Sequence, residues 1–192
     1  MLFRSALRLD VERDLVDVAA ASTHKWLLGA EGLGLLYVSD RVVDRIRPIR
    51  SGWRSMRDQI GWTEYAIDWN DGAKRFESGT FNIYGIAALG GSLDLIFEAG
   101  VEAVEQQVLA LADRAARGLA ELGFTIVSSR EPSETSGILT ATHPDLDASD
   151  LVRRLAGKNV IAAARAGRFR ISAHFYNTEE EIDRCLAEVA AR

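Results

Sequence analysis

The sequence predicts an α/β protein in two parts, residues 1–96 and 97–192. Two apolar runs near the start flank a glycine-rich turn, a helical pattern begins at Ile83, and strand-like and helix-like segments alternate after Gly123. The first run, Val16-Asp17-Val18-Ala19-Ala20-Ala21-Ser22, reads as a short buried strand entering a loop, and Gly34-Leu35-Leu36-Tyr37-Val38 as a second one. Asp40 is placed to cap a short helix through Ile46, ended by Pro48. Ser51 to Phe81 has no clear period and mixes Trp53, Trp62, Tyr65, Trp69 and Phe76 with glycines and charges. A long irregular segment of this kind is expected to be functional, or to be an arm ordered by a partner.

From Ile83 a helical pattern runs through Phe97, Gly100 breaks it, and a second amphipathic helix reaches about Leu122 with Gly123 as its stop. Phe124–Ser128 and Ile138–Thr142 read as strands, Ala148–Ala156 as a helix capped by Asp147, and Val160–Ala164 and Arg168–Phe175 as two further strands. A last helix starts at Thr178, where Glu181 three residues on completes a capping box. The boundary between the two parts falls near Ile96 to Gly100.

Composition narrows the function classes. The chain has 192 residues, 47% hydrophobic and 27% charged, with a formal charge of -5, which does not favour nucleic acid or an anionic membrane as partner. No apolar run approaches the ~20 residues that span a bilayer, and Arg4, Arg8 and Asp10 interrupt any signal-like stretch at the start. One cysteine excludes an internal disulfide framework and fits a reducing, cytoplasmic compartment.

The chemistry concentrates in Ser22-Thr23-His24-Lys25-Trp26, between the first strand and the glycine-rich turn. A lysine that forms a Schiff base must be partly deprotonated, although its ordinary pKa is ~10.4. Burial among apolar groups favours the neutral amine. Ala19 to Ala21, Trp26, Leu27 and Leu28 are expected to supply that surrounding, while neighbouring hydroxyls and an imidazole suit a phosphate. By spacing alone, a surface lysine at a strand end is the favoured reading. A dinucleotide site does not fit, because the glycine spacing differs and a strand follows rather than a helix.

Ser22-x-His24-Lys25, followed by Leu27-Leu28-Gly29-x-Glu31-Gly32-x-Gly34 and a strand, resembles the class V aminotransferases. These are enzymes of pyridoxal 5'-phosphate (PLP), fold type I, and include cysteine desulfurases and isopenicillin N epimerase-like proteins. The resemblance implies that Lys25 forms the internal aldimine with PLP and is the catalytic residue, and that Ser22 and His24 contact the cofactor phosphate. Arg75-Phe76-Glu77-Ser78-Gly79-Thr80-Phe81-Asn82 resembles a second signature of the family, which implies that Thr80 touches the phosphate of a partner subunit's cofactor. Read by itself, the segment is also an ordinary helix start with Asn82 as its cap. Arg168-Phe169-Arg170-Ile171-Ser172-Ala173-His174-Phe175-Tyr176-Asn177-Thr178 resembles a third, which implies that Arg170 binds the α-carboxylate of an amino-acid substrate. Strand alternation places Arg170, Ser172 and His174 on one face, and a guanidinium fork matches a carboxylate. His174 reads as structural, and no metal ligands are assigned.

The implied architecture is a partial fold type I large domain, residues 1–96, carrying an inter-subunit arm, followed by a small α+β C-terminal domain, residues 97–192. The aromatic arm and the second signature predict a homodimer. The family's aspartate for the pyridine nitrogen and its upstream phosphate loop belong before the lysine. Met1 to Leu7 does not match them, and Asp10, Asp14 and Asp17 stand too close to Lys25. The chain is therefore expected to lack the upstream half of the large domain. Cys185 sits at core spacing beside Ile182, Leu186 and Val189, so a persulfide route is disfavoured and aminotransferase or epimerase-like chemistry is favoured. The alternative is a truncated, non-catalytic fragment or a dimerisation or ligand-binding α+β domain.

Overall fold

In the computed structural model, which describes residues 7–57 and 67–191, β1 (Val18–Ser22) and β2 (Gly34–Val38) form an antiparallel ribbon. Its register runs from Val18 opposite Val38 to Ser22 opposite Gly34. Trp62 and Tyr65 of the aromatic segment, and the start of the chain through Ala6, lie outside the described residues. The chain divides into two compact units: one holds Leu9–Leu95, the other Ile96 onward together with Arg8.

In the first unit the ribbon is less covered than its apolar sequence predicts. Ala19 and Val38 are buried, but Val18, Leu35 and Leu36 are exposed. Among the described residues each strand has a single neighbour, so apolar side chains on both faces do not all find cover. The helix expected from Asp40 is a single 3-10 turn, Val43–Arg45, and Asp40 does not cap it. Ser39 acts instead: its hydroxyl accepts from the Arg41 amide at 3.2 Å, and its carbonyl from the amides of Val42 and Val43. The segment read as irregular holds two more 3-10 turns, Trp53–Ser55 and Gly72–Phe76, and a bridge between Met56 and Trp69. Its two ends are stitched together through Ser55, which is fully buried and donates its hydroxyl to the Glu77 carbonyl at 2.8 Å. The amide of Asn70 donates to the Ser55 carbonyl at 2.9 Å, and its side chain to those of Arg54 and Met56.

Helix α1 spans Ile83–Ala99, and α2 spans Val101–Glu121. Asn82 begins α1 as predicted, its carboxamide oxygen accepting from the Gly85 amide at 2.9 Å. The second unit is an antiparallel sheet in the order β3-β4-β6-β5, with β3 at Thr125–Ile126, β4 at Leu139–Thr142, β5 at Ala163–Arg165 and β6 at Arg168–Ile171. Helices α3 (Ala148–Ala156) and α4 (Glu179–Ala190) complete it. Val104, Val108, Leu111, Ala115 and Leu119 recur at helical spacing on the buried stripe of α2. The core gathers Leu111 and Leu119 with Leu139, Leu151, Leu155, Phe169, Ile171, Ile182 and Val189. Burying each of these large side chains stabilises the unit by roughly 1.5–3 kcal/mol.

Both predicted caps form: Asp147 accepts from the amides of Ser149 and Asp150, and Thr178 exchanges hydrogen bonds with Glu181. The strands are shorter than the sequence suggests. β6 stops at Ile171 because its partner β4 begins at Leu139, directly opposite. β5 begins at Ala163, since the Val160 amide is taken up by the Leu155 carbonyl in closing α3. β3 ends in a bulge, where the amides of Val127 and Ser128 both reach the Thr140 carbonyl. Among the described residues no single helix is long and apolar enough to cross a membrane.

Candidate functional site

Ser22 closes β1 opposite Gly34, and the chain then turns through Thr23, His24 and Lys25. The turn is organised by Thr23, which is fully buried. Its hydroxyl lies 3.1 Å from the carbonyls of both Ala30 and Leu33, and its own carbonyl accepts from the Gly29 amide at 2.9 Å. Gly29 packs so closely that a Cβ there would stand 2.8 Å from the Thr23 Cβ. Helix α1 and its capping residue each fasten the same loop: Asn82 donates to the Gly32 carbonyl at 3.2 Å, and Ser92 donates to the Leu28 carbonyl at 2.8 Å. Thr23, Asn82 and Ser92 are thus positioning residues, and the sequence reading gave Thr23 no role. Its one signal was a β-branched hydroxyl between two polar motif residues facing a glycine-rich return.

On this fixed loop Ser22 is half-buried, while His24 and Lys25 are exposed. None of the three makes a side-chain hydrogen bond with a described residue, so a hydroxyl, an imidazole and an amine stand free within four positions at the end of β1. The expectation that Ala19–Ala21, Trp26, Leu27 and Leu28 bury Lys25 is corrected. Ala19 turns into the core and Trp26, Leu27 and Leu28 are only half-buried, which leaves the lysine open. Burial at a strand end depends on what covers the turn, not on the apolar character of its sequence neighbours. An open cavity of about 730 Å³ adjoins the ribbon, lined by Ser22, Gly34, Lys74, Glu77 and Phe81 among others. Of the site residues predicted from sequence, only Ser22 reaches it; His24, Lys25 and Thr80 are not among its lining residues. Thr80 is exposed three positions before α1 and makes no hydrogen bond with a described residue.

Asp10, Asp14 and Asp17 are occupied elsewhere. Asp10 accepts from the amides of Glu12 and Arg13, Asp14 pairs with Arg13, and Asp17 pairs with Arg41.

In the second unit Arg170 lies on β6 between Thr140 of β4 and Ala163 of β5, on the face opposite buried Phe169 and Ile171. Its guanidinium makes no hydrogen bond or ion pair with a described residue, and its Nε is buried without a partner. A buried donor left unmade costs about 1–3 kcal/mol, so Arg170 is held in a state that a carboxylate would relieve. The alternation predicted beyond Ile171 fails: Ala173 and His174 are both buried, because the chain has left the sheet. His174 stacks on Tyr176 at 4.6 Å, and its Nδ1 accepts from the Phe175 amide. Cys185 is buried in α4, and burial pushes its thiol up to about 11.

A family model for the class-V aminotransferases matches residues 5–185. The chain is 29% identical to an uncharacterized aminotransferase, YcbU, of Bacillus subtilis, over 96% of this chain and 48% of that protein. It is 34% identical to the isopenicillin N epimerase of Streptomyces clavuligerus, over 93% of this chain and 48% of that protein. Among solved structures it resembles the apo cysteine desulfurase of Thermococcus onnurineus, with a TM-score of 0.85 at 25% identity, covering 96% of this chain and 49% of that one. A cystine C-S lyase, C-DES, solved with its product cysteine persulfide, gives a TM-score of 0.85 at 28% identity, covering 97% and 49%. The chain thus spans about half the length of the relatives it matches.

Proposed function

Because the chain belongs to the class-V aminotransferase family, whose cofactor is PLP, we propose that it carries the lysine-bearing part of a PLP site acting on an amino-acid substrate. The reaction favoured is aminotransferase or epimerase-like. The observation that carries the reading is the loop of Lys25, a free primary amine on a turn fixed at Thr23, Asn82 and Ser92. Ser22 and His24 suit the phosphate, and Thr80 would serve the phosphate in a homodimer. The residues present fit the cofactor: an unpartnered amine follows an unpartnered hydroxyl and imidazole at the end of one strand. When bound, PLP supplies an electron sink for charge developing at the substrate Cα. Lys25 would hold the cofactor and move the Cα proton, and Arg170 would orient the substrate by its α-carboxylate. Cys185 supports the preference against a persulfide route, since a buried thiol held protonated is a poor nucleophile.

The exposure of Lys25 favours a second reading, in which this polypeptide binds without turning over, because an open amine is not desolvated as a catalytic one is. One experiment separates them. The chain is incubated with PLP, reduced with borohydride and mapped by mass spectrometry. A pyridoxyl adduct on Lys25 that survives Lys74→Ala and Lys158→Ala supports the site. Equal labelling of the three lysines, or none, removes it. Release of a keto acid or racemised product on adding amino acids then distinguishes turnover from binding.

A further inference from the structure

Two arginines of the first unit are half-buried, Arg54 and Arg75, and they are employed differently. Arg75 donates to the carbonyls of Asn70 and Val43 and pairs with Asp44 at 3.0 Å, as a structural arginine does. Arg54 makes no hydrogen bond or ion pair with any described residue, and its Nε is buried without a partner. Its guanidinium carbon instead stands 3.8 Å over the centroid of the Phe81 ring and 5.2 Å from that of Trp53. A guanidinium over an aromatic face is attracted by the ring and keeps its N–H edge available to an acceptor.

The surrounding chain fixes this fork. Gly52 lies against the backbone of Ser78, where a Cβ would come within 1.7 Å of the Ser78 carbonyl oxygen, and buried Ser55 bonds Glu77. Residues 52–55 therefore cannot slide along the second signature. Among the described residues Asp44 is engaged by Arg75, and Asp68 and Asp71 by Arg57, so none of these three pairs with Arg54. Trp53 and Phe81, the two rings beside the fork, are themselves partly exposed, at 43% and 37%, so the place is open to a small ligand.

We propose that Arg54, stacked on Phe81, is the receptor for a carboxylate on the substrate's side chain, so that the amino acid taken is an acidic one. A flat fork with a parallel pair of free N–H groups matches a planar carboxylate more closely than a tetrahedral phosphate. The inference rests on the reading of the chain as an amino-acid site, and its test does not depend on Lys25.

The chain carrying Lys25→Ala is titrated with L-glutamate, L-aspartate and L-alanine at fixed ionic strength, following the Trp53 indole N–H and the arginine Nε–H signals by NMR. The expected result is binding of the two acidic amino acids roughly tenfold tighter than alanine, about the worth of one charge-assisted bidentate pair. That preference is lost in Arg54→Gln and reduced in Arg54→Lys, which keeps the charge without the fork, while circular dichroism shows both variants folded. Equal affinity for glutamate and alanine, a preference that survives Arg54→Gln, or tighter binding of inorganic phosphate than of glutarate would each overturn the proposal. Loss of the Lys25 adduct with the glutamate preference intact would remove the PLP reading alone.

Discussion

The side-chain amide of Asn82 donates to the carbonyl of Gly32 at 3.2 Å, fifty positions earlier in the chain, while its oxygen caps α1. One residue thus begins a helix and anchors the turn that carries Lys25, which joins the second signature to the first through a single carboxamide. Replacing Asn82 by Ala removes both bonds and is expected to destabilise the first unit by about 1–2 kcal/mol, the range of a lost N-cap. Asn82→Asp, which keeps the acceptor alone, should retain most of the stability and still loosen the turn. Urea midpoints of the two variants check this.

Thr23→Val keeps the shape of a fully buried side chain and deletes its hydroxyl, leaving the carbonyls of Ala30 and Leu33 without that donor. A cost of about 1–3 kcal/mol is expected, with Thr23→Ser much milder. Selective labelling of Lys25 by PLP should fall in the Val variant and persist in the Ser variant.

Arg170 should behave oppositely. Its guanidinium bonds no described residue and its buried Nε is orphaned, so Arg170→Leu is expected to leave thermal stability unchanged or raised. Binding of an amino acid should weaken at least tenfold in the same variant, by about 1.5–3 kcal/mol. A melting curve and a binding titration on one preparation test both halves. A large loss of stability would show that Arg170 is structural.

Gly52→Ala would place a methyl group 1.7 Å from the Ser78 carbonyl oxygen, a backbone atom that cannot swing aside. A cost above about 3 kcal/mol is expected, with release of the contact between residues 52–55 and 77–78. Loss of the Trp53 signal shift in the amino-acid titration, alongside retained helix content in circular dichroism, is the measurable outcome.

Cys185 ties stability to alkaline pH. Burial raises its folded thiol from 9.0 to about 11, so the folded chain keeps a proton that the unfolded chain releases. This contribution is complete below pH 9 and is lost as pH rises toward 11, by up to about 2–3 kcal/mol. Cys185→Ala should flatten that part of the profile, measured as urea midpoints across the window. Thiol reagents should label the native chain slowly throughout the neutral range.

What could be read from the sequence was local. The acceptors of Asp147, Thr178 and Asn82 each serve amides within three positions, so short-range chemistry placed three helix starts correctly. The limits of β2 and the order of elements followed from apolar period and glycine punctuation. The three signatures in order pointed to the family that the comparisons then showed. The tertiary structure alone decided what each side chain meets. Lys25 is open rather than enclosed, Thr23 is the buried pin of its loop, β6 ends where β4 begins, and Arg54 and Arg170 keep unmatched donors where Arg75 and Arg114 are paired. Burial and hydrogen-bond satisfaction depend on surfaces from distant parts of the chain, which no local pattern encodes. A cap is complete within one turn of helix, whereas the surroundings of a lysine are complete only when everything that packs over it is in place.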